Sequence, residues 1–359
     1  MSTGTKIALA LLLLVLTVGG TLFWQAMQQP LYEPGMVRSA EALSAPLEPP
    51  AQPEEAGPWQ VEPGIELHHF SAGEGRNVLI VHGGPGQPYV EPWPGLEPLT
   101  GSYRFHYYDQ RGAGRSTRPI DSFSSRNFYQ NAQELEQALG LSAQIADVER
   151  IRRILGEERL ILIGHSFGAF QAALYAAEFP ERVEALILVA PAPLLLMPME
   201  GPDLFGTIED MLPEEMLADY QDWHAQYMDF GSLFERSDDE LVALNQAFGR
   251  FYVAAMADEG TITDVPQPER PGGWMVHAMY MSMGRKHDYR PAVEAVEAPA
   301  LILHAAEDFQ TEAASRTYVE VLPQARFEVI DGAGHMMFYD RPAEFAEAVG
   351  GFLQDVELR

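Results

Sequence analysis

The 359-residue sequence contains no cysteine. That excludes disulfides, thiolate-ligated metals, a cysteine nucleophile and a lipid-modified cysteine near the N-terminus. Positive charge is also scarce. Lys+Arg total 23 against 52 Asp+Glu, a formal charge of −29, and only Lys6 and Lys286 are lysines. A chain this acidic lacks the basic footprint through which proteins hold nucleic acid, so that class of partner is excluded. Salt adaptation and an arginine-biased genome both produce such a balance. No internal repeat of fixed period is visible. What is present, at 47% hydrophobic and 21% charged, is the composition of a folded globular protein with a sizeable core.

The N-terminus carries an unbroken apolar run, Ile7 to Leu16, that continues to Phe23-Trp24 after a single Lys6. Residues 7–24 reach the length a helix needs to cross a bilayer. Phe23-Trp24 at the interface position and the absence of an Ala-x-Ala site favour an uncleaved anchor over a signal peptide, with cleavage after Gly20 as the alternative. Residues 1–24 are therefore read as a membrane anchor or signal peptide. The positive-inside rule places the bulk of the chain outside the cytoplasm, secreted if the segment is cleaved. Residues 25–59 include Pro30, Pro34, Pro46, Pro49, Pro50, Pro53 and Pro58 with little apolar periodicity, and read as a semi-extended tether.

From residue 60 onward, short apolar runs alternate with helical patterns. The runs are 77–81, 104–108, 160–163, 185–189, 300–303 and 326–330. Strands apolar on both faces and separated by helices indicate a mostly parallel sheet covered on both sides, with function at the carboxyl ends of its strands. The stretch Ser142 to Leu155 aligns Ile145, Val148, Ile151 and Leu155 as one helical stripe, with Gly156 as its stop. Residues 191–290 lose the strand pattern and turn rich in Met, Trp and acid, which suggests a helical cap inserted between two strands of the sheet. The core is then 60–190 together with 291–359.

Gly164-His165-Ser166-Phe167-Gly168 follows one of these strands and precedes a helix. In that context a G-x-S-x-G sequence is a nucleophile elbow: the flanking glycines clear space for a serine held in a tight, strained turn. Ser166 is the expected nucleophile and the Phe167 N–H an oxyanion donor at the positive end of the helix. A second donor is expected from His82-Gly83-Gly84-Pro85-Gly86, which follows another strand, and the Gly84 N–H is the choice. A serine hydroxyl needs a base, and the base an orienting carboxylate. His335, in the loop Asp331-Gly332-Ala333-Gly334-His335 after the last strand, is the expected base. Asp308, after strand 300–303, is the expected acid, with Glu307 as the neighbouring alternative. His165 is read as supporting the elbow and His82 as bracing its loop. The remaining histidines, His68, His69, His106, His224, His277, His287 and His304, lack metal-ligand spacing, so neither metal nor other cofactor is expected.

The chain order Ser166, Asp308, His335 is that of α/β-hydrolases. Together with HGGPG at 82–86, DQRGAGRS at 109–116 and ADVERIRRILG at 146–156, it makes the chain from about residue 60 to the end resemble the prolyl aminopeptidase (proline iminopeptidase) family. The resemblance implies an α/β-hydrolase fold with an inserted cap. It also implies release of an N-terminal residue, preferably proline, from short peptides by a metal-free acyl-enzyme route. Family members hold the substrate's free amine with cap carboxylates, and Glu200, Asp203, Glu209, Asp210, Glu214 and Glu215 lie in the corresponding region. Three features depart from the family. Its elbow is typically Gly-Gly-Ser-Trp-Gly, the strand at 185–189 continues here into Ala190-Pro191 rather than Arg-Gly, and a membrane segment is not typical. The second reading is therefore an esterase or lipase acting on small or membrane-derived esters. A non-catalytic scaffold on the same fold is disfavoured because every triad position and the oxyanion loop have a candidate.

Overall fold

The computed structural model describes residues 28–40, 43–53, 57–199, 203–257 and 265–358. The apolar run at 7–24 and the cap residue Glu200 lie outside the described residues. No helix among those described is long and apolar enough to cross a membrane.

The described chain opens its sheet structure with a hairpin of β1 (Trp59–Glu62) and β2 (Ile65–Leu67). Then come β3 (His69–Ala72), β4 (Arg76–Val81), β5 (Tyr103–Tyr108), β6 (Leu160–His165) and β7 (Val183–Val189). A two-residue ladder of β8 (Leu196–Met197) with β9 (His287–Asp288) closes the neck of the insertion. Strands β10 (Ala300–Ala305) and β11 (Ala325–Ile330) complete the set. The seven-stranded main sheet has the order β11-β10-β7-β6-β4-β5-β3, parallel throughout except for β3, which pairs antiparallel with β5. Every strand expected from the apolar runs is present. β1 to β3 were not expected, because each is only three or four residues long.

Alternation along the strands divides the core in two. Leu79, Val81, Leu160, Leu162, Leu186, Leu188 and Ile302 face the helices Leu141–Ile154 and Phe167–Glu178. Val78, Ile80, Ile161, Ile163, Ile187, Val189, Leu301 and Leu303 face the C-terminal helix Pro342–Glu357 through Phe345, Val349 and Phe352. The period of two puts apolar side chains on both faces, which is the condition for a sheet covered on both sides. Between β7 and β10 the chain leaves the sheet and forms the helices Leu204–Met211, Glu214–Tyr227, Asp238–Met256 and Trp274–Met283.

The proline-rich segment corrects the expectation of a free tether. Its described residues are a strap docked on the core by specific polar contacts. Glu178, buried at the end of its helix, accepts hydrogen bonds from Tyr32 Oη at 3.0 Å and from the backbone N–H groups of Gly35 at 2.8 Å and Arg38 at 3.0 Å. The Leu31 and Tyr32 N–H groups both donate to Ser282 O, and the Arg150 guanidinium donates to Ala45 O and Pro46 O. Tyr32 and Val37 are wholly buried. The prolines end regular structure without preventing docking, since the strap's donors and acceptors are met by side chains far away in sequence. The strap also covers the helix Leu141–Ile154, which is buried even at Asp147, Glu149 and Arg150 and so is not the one-sided stripe its spacing suggests.

Beneath the strap, the Ser282 hydroxyl donates to Glu136 at 3.0 Å while accepting from Leu141 N–H. Burial pushes the Glu136 carboxyl up to about 7, partly offset by the Ser282 bond. The folded protein therefore holds a proton that the unfolded chain has released, and stability falls as pH rises from about 4.5 through about 7. Glu136→Gln keeps the shape and removes this dependence. In urea unfolding the variant should match the natural protein at pH 5 and be more stable at pH 8 by on the order of 3 kcal/mol. Taking the difference between the two proteins cancels the repulsion of the acidic surface, and an equal gap at both pH values would count against the assignment.

Candidate active site

Ser166 stands between β6 and the helix Phe167–Glu178, at φ 56° and ψ −121°. This positive φ is costly for a residue with a Cβ and persists only where the surroundings enforce it. They do so here through backbone bonds: Ser166 N–H donates to Val189 O at 2.9 Å, and Ser166 O accepts from Ala169 and Ala192 N–H. The flanking glycines have the role expected of them. A Cβ on Gly164 would lie 2.6 Å from Ala169 Cα, and one on Gly168 would lie 2.6 Å from His82 O. Phe167 is the first residue of its helix, so its N–H has no acceptor within that helix.

Asp308 and His335 come together at the carboxyl edge of the sheet. His335 Nδ1 lies 3.0 Å from Asp308 Oδ2 and 3.1 Å from Oδ1, and the Asp308 side chain is fully buried. Gln310 N–H also donates to Asp308. The alternative acid, Glu307, uses its backbone N–H to tie the loop after β10 to Ala333 O and does not meet His335. The loop of His335 lies against the elbow: His165 Nε2 is 2.9 Å from His335 O, and the two imidazole rings are 4.7 Å apart. Phe309 also packs on His335, at 4.5 Å.

The glycine-rich loop after β4 also reaches the elbow, by way of Gly83. A Cβ there would sit 2.9 Å from Ser166 Cβ and 3.4 Å from Phe167 N. Gly84, the expected donor, is the next residue on the exposed side of the loop, at φ 113°. His82 braces this loop by accepting from Gln110 N–H through Nε2 and bonding Gly83 O through Nδ1, and burial lowers its pKa to about 4. Gln110 belongs to the DQRGAGRS segment, whose Asp109 accepts from Arg115 N–H at 2.7 Å. Gly86 meets the cap through Gly272 N–H, which donates to Gly86 O at 2.7 Å.

Above the elbow the cap presents aromatic rings. Tyr280 lies 6.2 Å from Phe167, its hydroxyl interacts with that of Tyr227, and Tyr252 packs on Phe309 at 5.8 Å. Among the described cap acids singled out in the sequence, Asp203 caps the helix Leu204–Met211, and its charge helps to raise the Tyr280 pKa. Glu209 accepts from Gln221, while Asp210, Glu214 and Glu215 are exposed. Among the described residues, no group of His, Asp and Glu is arranged to hold a metal ion.

A family model described as the alpha/beta hydrolase fold matches residues 76–342. The chain belongs to the alpha/beta hydrolase fold family. Within this family it resembles prolyl aminopeptidases. A proline iminopeptidase from Heyndrickxia coagulans is 23% identical over 295 residues, covering 79% of this chain and 92% of that protein. Among solved structures, an esterase from Exiguobacterium antarcticum superposes with TM-score 0.55 at 19% identity, covering 81% of this chain and 97% of that one. A structure described as a membrane phospholipase A, a bacterial virulence factor, superposes with TM-score 0.56 at 21% identity, covering 99% and 100%. The hydrolase fold thus fits the residues placed at the edge of its sheet. Two residues of the site went unnoticed in the sequence: Gly83, whose doubling with Gly84 was its one signal, and Tyr89, whose hydroxyl lies 2.6 Å from His165 Nδ1 and which sits in a proline-rich loop without periodicity.

The closeness of Gly83 to the elbow can be tested directly. Gly83→Ala forces a Cβ into Ser166 and should lower kcat/KM by about 100-fold or more, since displacements near 1 Å have that effect on reacting groups. Gly101→Ala, which would meet nothing within 4 Å, is the control and should be neutral. Equal activities of the two variants in a steady-state ester assay would refute the close approach.

Proposed function

We propose that the protein is a serine hydrolase acting through an acyl-enzyme, with Ser166 as nucleophile, His335 as base and Asp308 as the residue that orients it. The observation that carries this reading is the buried Asp308–His335 pair at 3.0 Å, in a loop bonded to the residue preceding a strained serine. Asp308 accepts from Nδ1–H, which leaves His335 Nε2 to take the Ser166 proton and later return it to the leaving group. The Phe167 N–H, with the Gly84 N–H as second donor, would meet the oxyanion. Replacing the serine should abolish turnover and leave the fold intact. Full activity in Ser166→Ala, or failure of a fluorophosphonate to label Ser166, would overturn the reading.

The leading substrate is an N-terminal proline or another small residue of a short peptide. Support comes from the proline iminopeptidase relatives and from Asp203, a cap acid whose charge reaches the aromatic wall beside Phe167. A specific observation favours the second reading, a small or membrane-derived ester: the ring pairs Phe167–Tyr280 and Tyr252–Phe309, the latter packed on His335, put apolar rings beside the elbow and the base, surroundings suited to an uncharged acyl group. Assays of a proline arylamide, its N-acetylated form and a short aryl ester separate the two. An aminopeptidase should prefer the free amine, and Asp203→Asn should reduce that preference about tenfold or more. Turnover of the ester alone would assign the second reading.

For location, the reading is a membrane-anchored enzyme with its catalytic domain outside the cytoplasm. Only three residues separate Trp24 from Gln28, whose carbonyl accepts from Arg285 N–H on the cap. At about 3.5 Å per residue this keeps that edge of the cap within roughly 14 Å of the end of the apolar run. The full-length chain should stay with membranes through an alkaline wash. Recovery of uncleaved chain in the soluble fraction would refute the anchor.

A further inference from the structure

His165 is the residue at which the elbow departs most from the resembling family, whose elbow carries glycine there. Its ring is fully enclosed. Tyr89 Oη lies 2.6 Å from Nδ1, His335 O lies 2.9 Å from Nε2, and Trp93 and Phe338 close the box with their rings edge-on at 6.1 and 5.2 Å. These partners determine the proton positions. A carbonyl only accepts, so Nε2 must carry hydrogen. Burial holds the His165 pKa well below its ordinary value, so the ring is neutral and Nδ1 is bare. Tyr89 must then donate, and burial raises its own pKa so that it keeps its proton.

We propose that His165 is a positioning residue: fixed by Tyr89 in the Nε2–H tautomer, it holds the His335 main chain at the place from which the His335 imidazole bridges Asp308 and Ser166. The inference rests on the assignment of His335 as base. The loop of His335 has glycines at 332 and 334; Glu307 N–H holds Ala333 O, Asp340 holds Gly334 N–H and Asp308 holds the imidazole at Nδ1, which leaves the main chain of His335 itself to be held. His165 supplies the restraint at the backbone, from the residue covalently joined to the nucleophile, so base and nucleophile move as one unit. Neutrality matters as well. With the two rings 4.7 Å apart, a charged His165 would oppose the imidazolium that forms on His335 during the reaction. An enclosed neutral donor gives the restraint without that opposing charge.

The test uses the full-length protein and a soluble aryl ester. His165→Gln retains an N–H donor at similar reach; His165→Phe fills the box and retains none. The Phe variant should lose about 10- to 100-fold in kcat with KM within about twofold, because displacement of a catalytic group acts on the reacting geometry. The Gln variant should recover most of that loss. Tyr89→Phe should lower kcat severalfold in the natural background, where Nδ1 loses its donor. It should have a smaller effect on the Gln variant, whose amide nitrogen always carries hydrogen and needs no neighbour to fix a tautomer. Equal kcat for the Gln and Phe variants, a loss confined to KM, or the same Tyr89→Phe effect in both backgrounds would overturn the proposal. If the Phe variant does not fold, the Tyr89→Phe comparison alone decides. Activity surviving in Ser166→Ala would instead point to failure of the triad assignment.

Discussion

Four buried charges fix the geometry on which the site is built. Arg111 is 1% exposed and bonds Asp147 at 2.6 Å and Glu62 at 2.6 Å, while Arg150, equally buried, bonds Glu62 at 2.7 Å and Asp147 at 3.1 Å. Burying an ion costs several kcal/mol, so the arrangement is tolerable only because two cations and two anions meet with their hydrogen bonds filled. Loss of any one member would leave an uncompensated charge in the interior. The four members join three different pieces of chain. Arg111 lies in the DQRGAGRS loop, Asp147 and Arg150 on the helix behind the sheet, and Glu62 on β1, while Arg150 reaches on to the strap. The tetrad therefore sets the DQRGAGRS loop, Gln110 in that loop sets His82, and His82 sets the glycine loop that leans on Ser166.

This chain of contacts accounts for which parts of the protein were legible in the sequence. Strands β4 to β7, β10 and β11 were legible because each buries both faces, and an unbroken apolar run records that condition locally. The elbow and the loops of Asp308 and His335 were legible because a serine turn demands glycine and because parallel sheets place their chemistry after strands. The strap was not. Its docking depends on Glu178 and Arg150, more than 100 positions away in the chain, and on backbone donors that every sequence possesses, so no periodicity marks it. The same reason hides β1 to β3, which are short and edge-bound, and Tyr89, whose only distinctive partner is His165.

The strap also changes how the acidic composition is read. Several of the 23 cations are spent inside or at the base of the fold, on Glu62, Asp147, Glu149 and Asp238. Each is matched by the carboxylate it bonds, so pairing them off leaves the excess of 29 acids unchanged and leaves fewer cations at the surface to offset it. Self-repulsion of that surface opposes compaction at low ionic strength. The buried pairs are shielded from salt and keep their geometry while the surface responds to it.

The site divides into two parts with different physical rules. Below Ser166 everything is fixed by backbone bonds, buried charge and close glycine contacts, and a substitution there acts on the reaction itself. Above it the cap contributes rings and a few acids, joined to the core at Gly86–Gly272 and at the β8–β9 neck. A tyrosine hydroxyl both donates and accepts, so Tyr280, raised in pKa by burial and keeping its proton, can give it to a carbonyl oxygen. A protonated amine offers only donors and must find a carboxylate, and Asp203 is the acid whose field reaches that hydroxyl. If the protein acts as proposed, discrimination between amine and ester substrates would fall to a cap carboxylate. The elbow beneath it would be compatible with either, since in the proposed route attack on a carbonyl makes the same demands on Ser166, His335 and Asp308 whatever group departs.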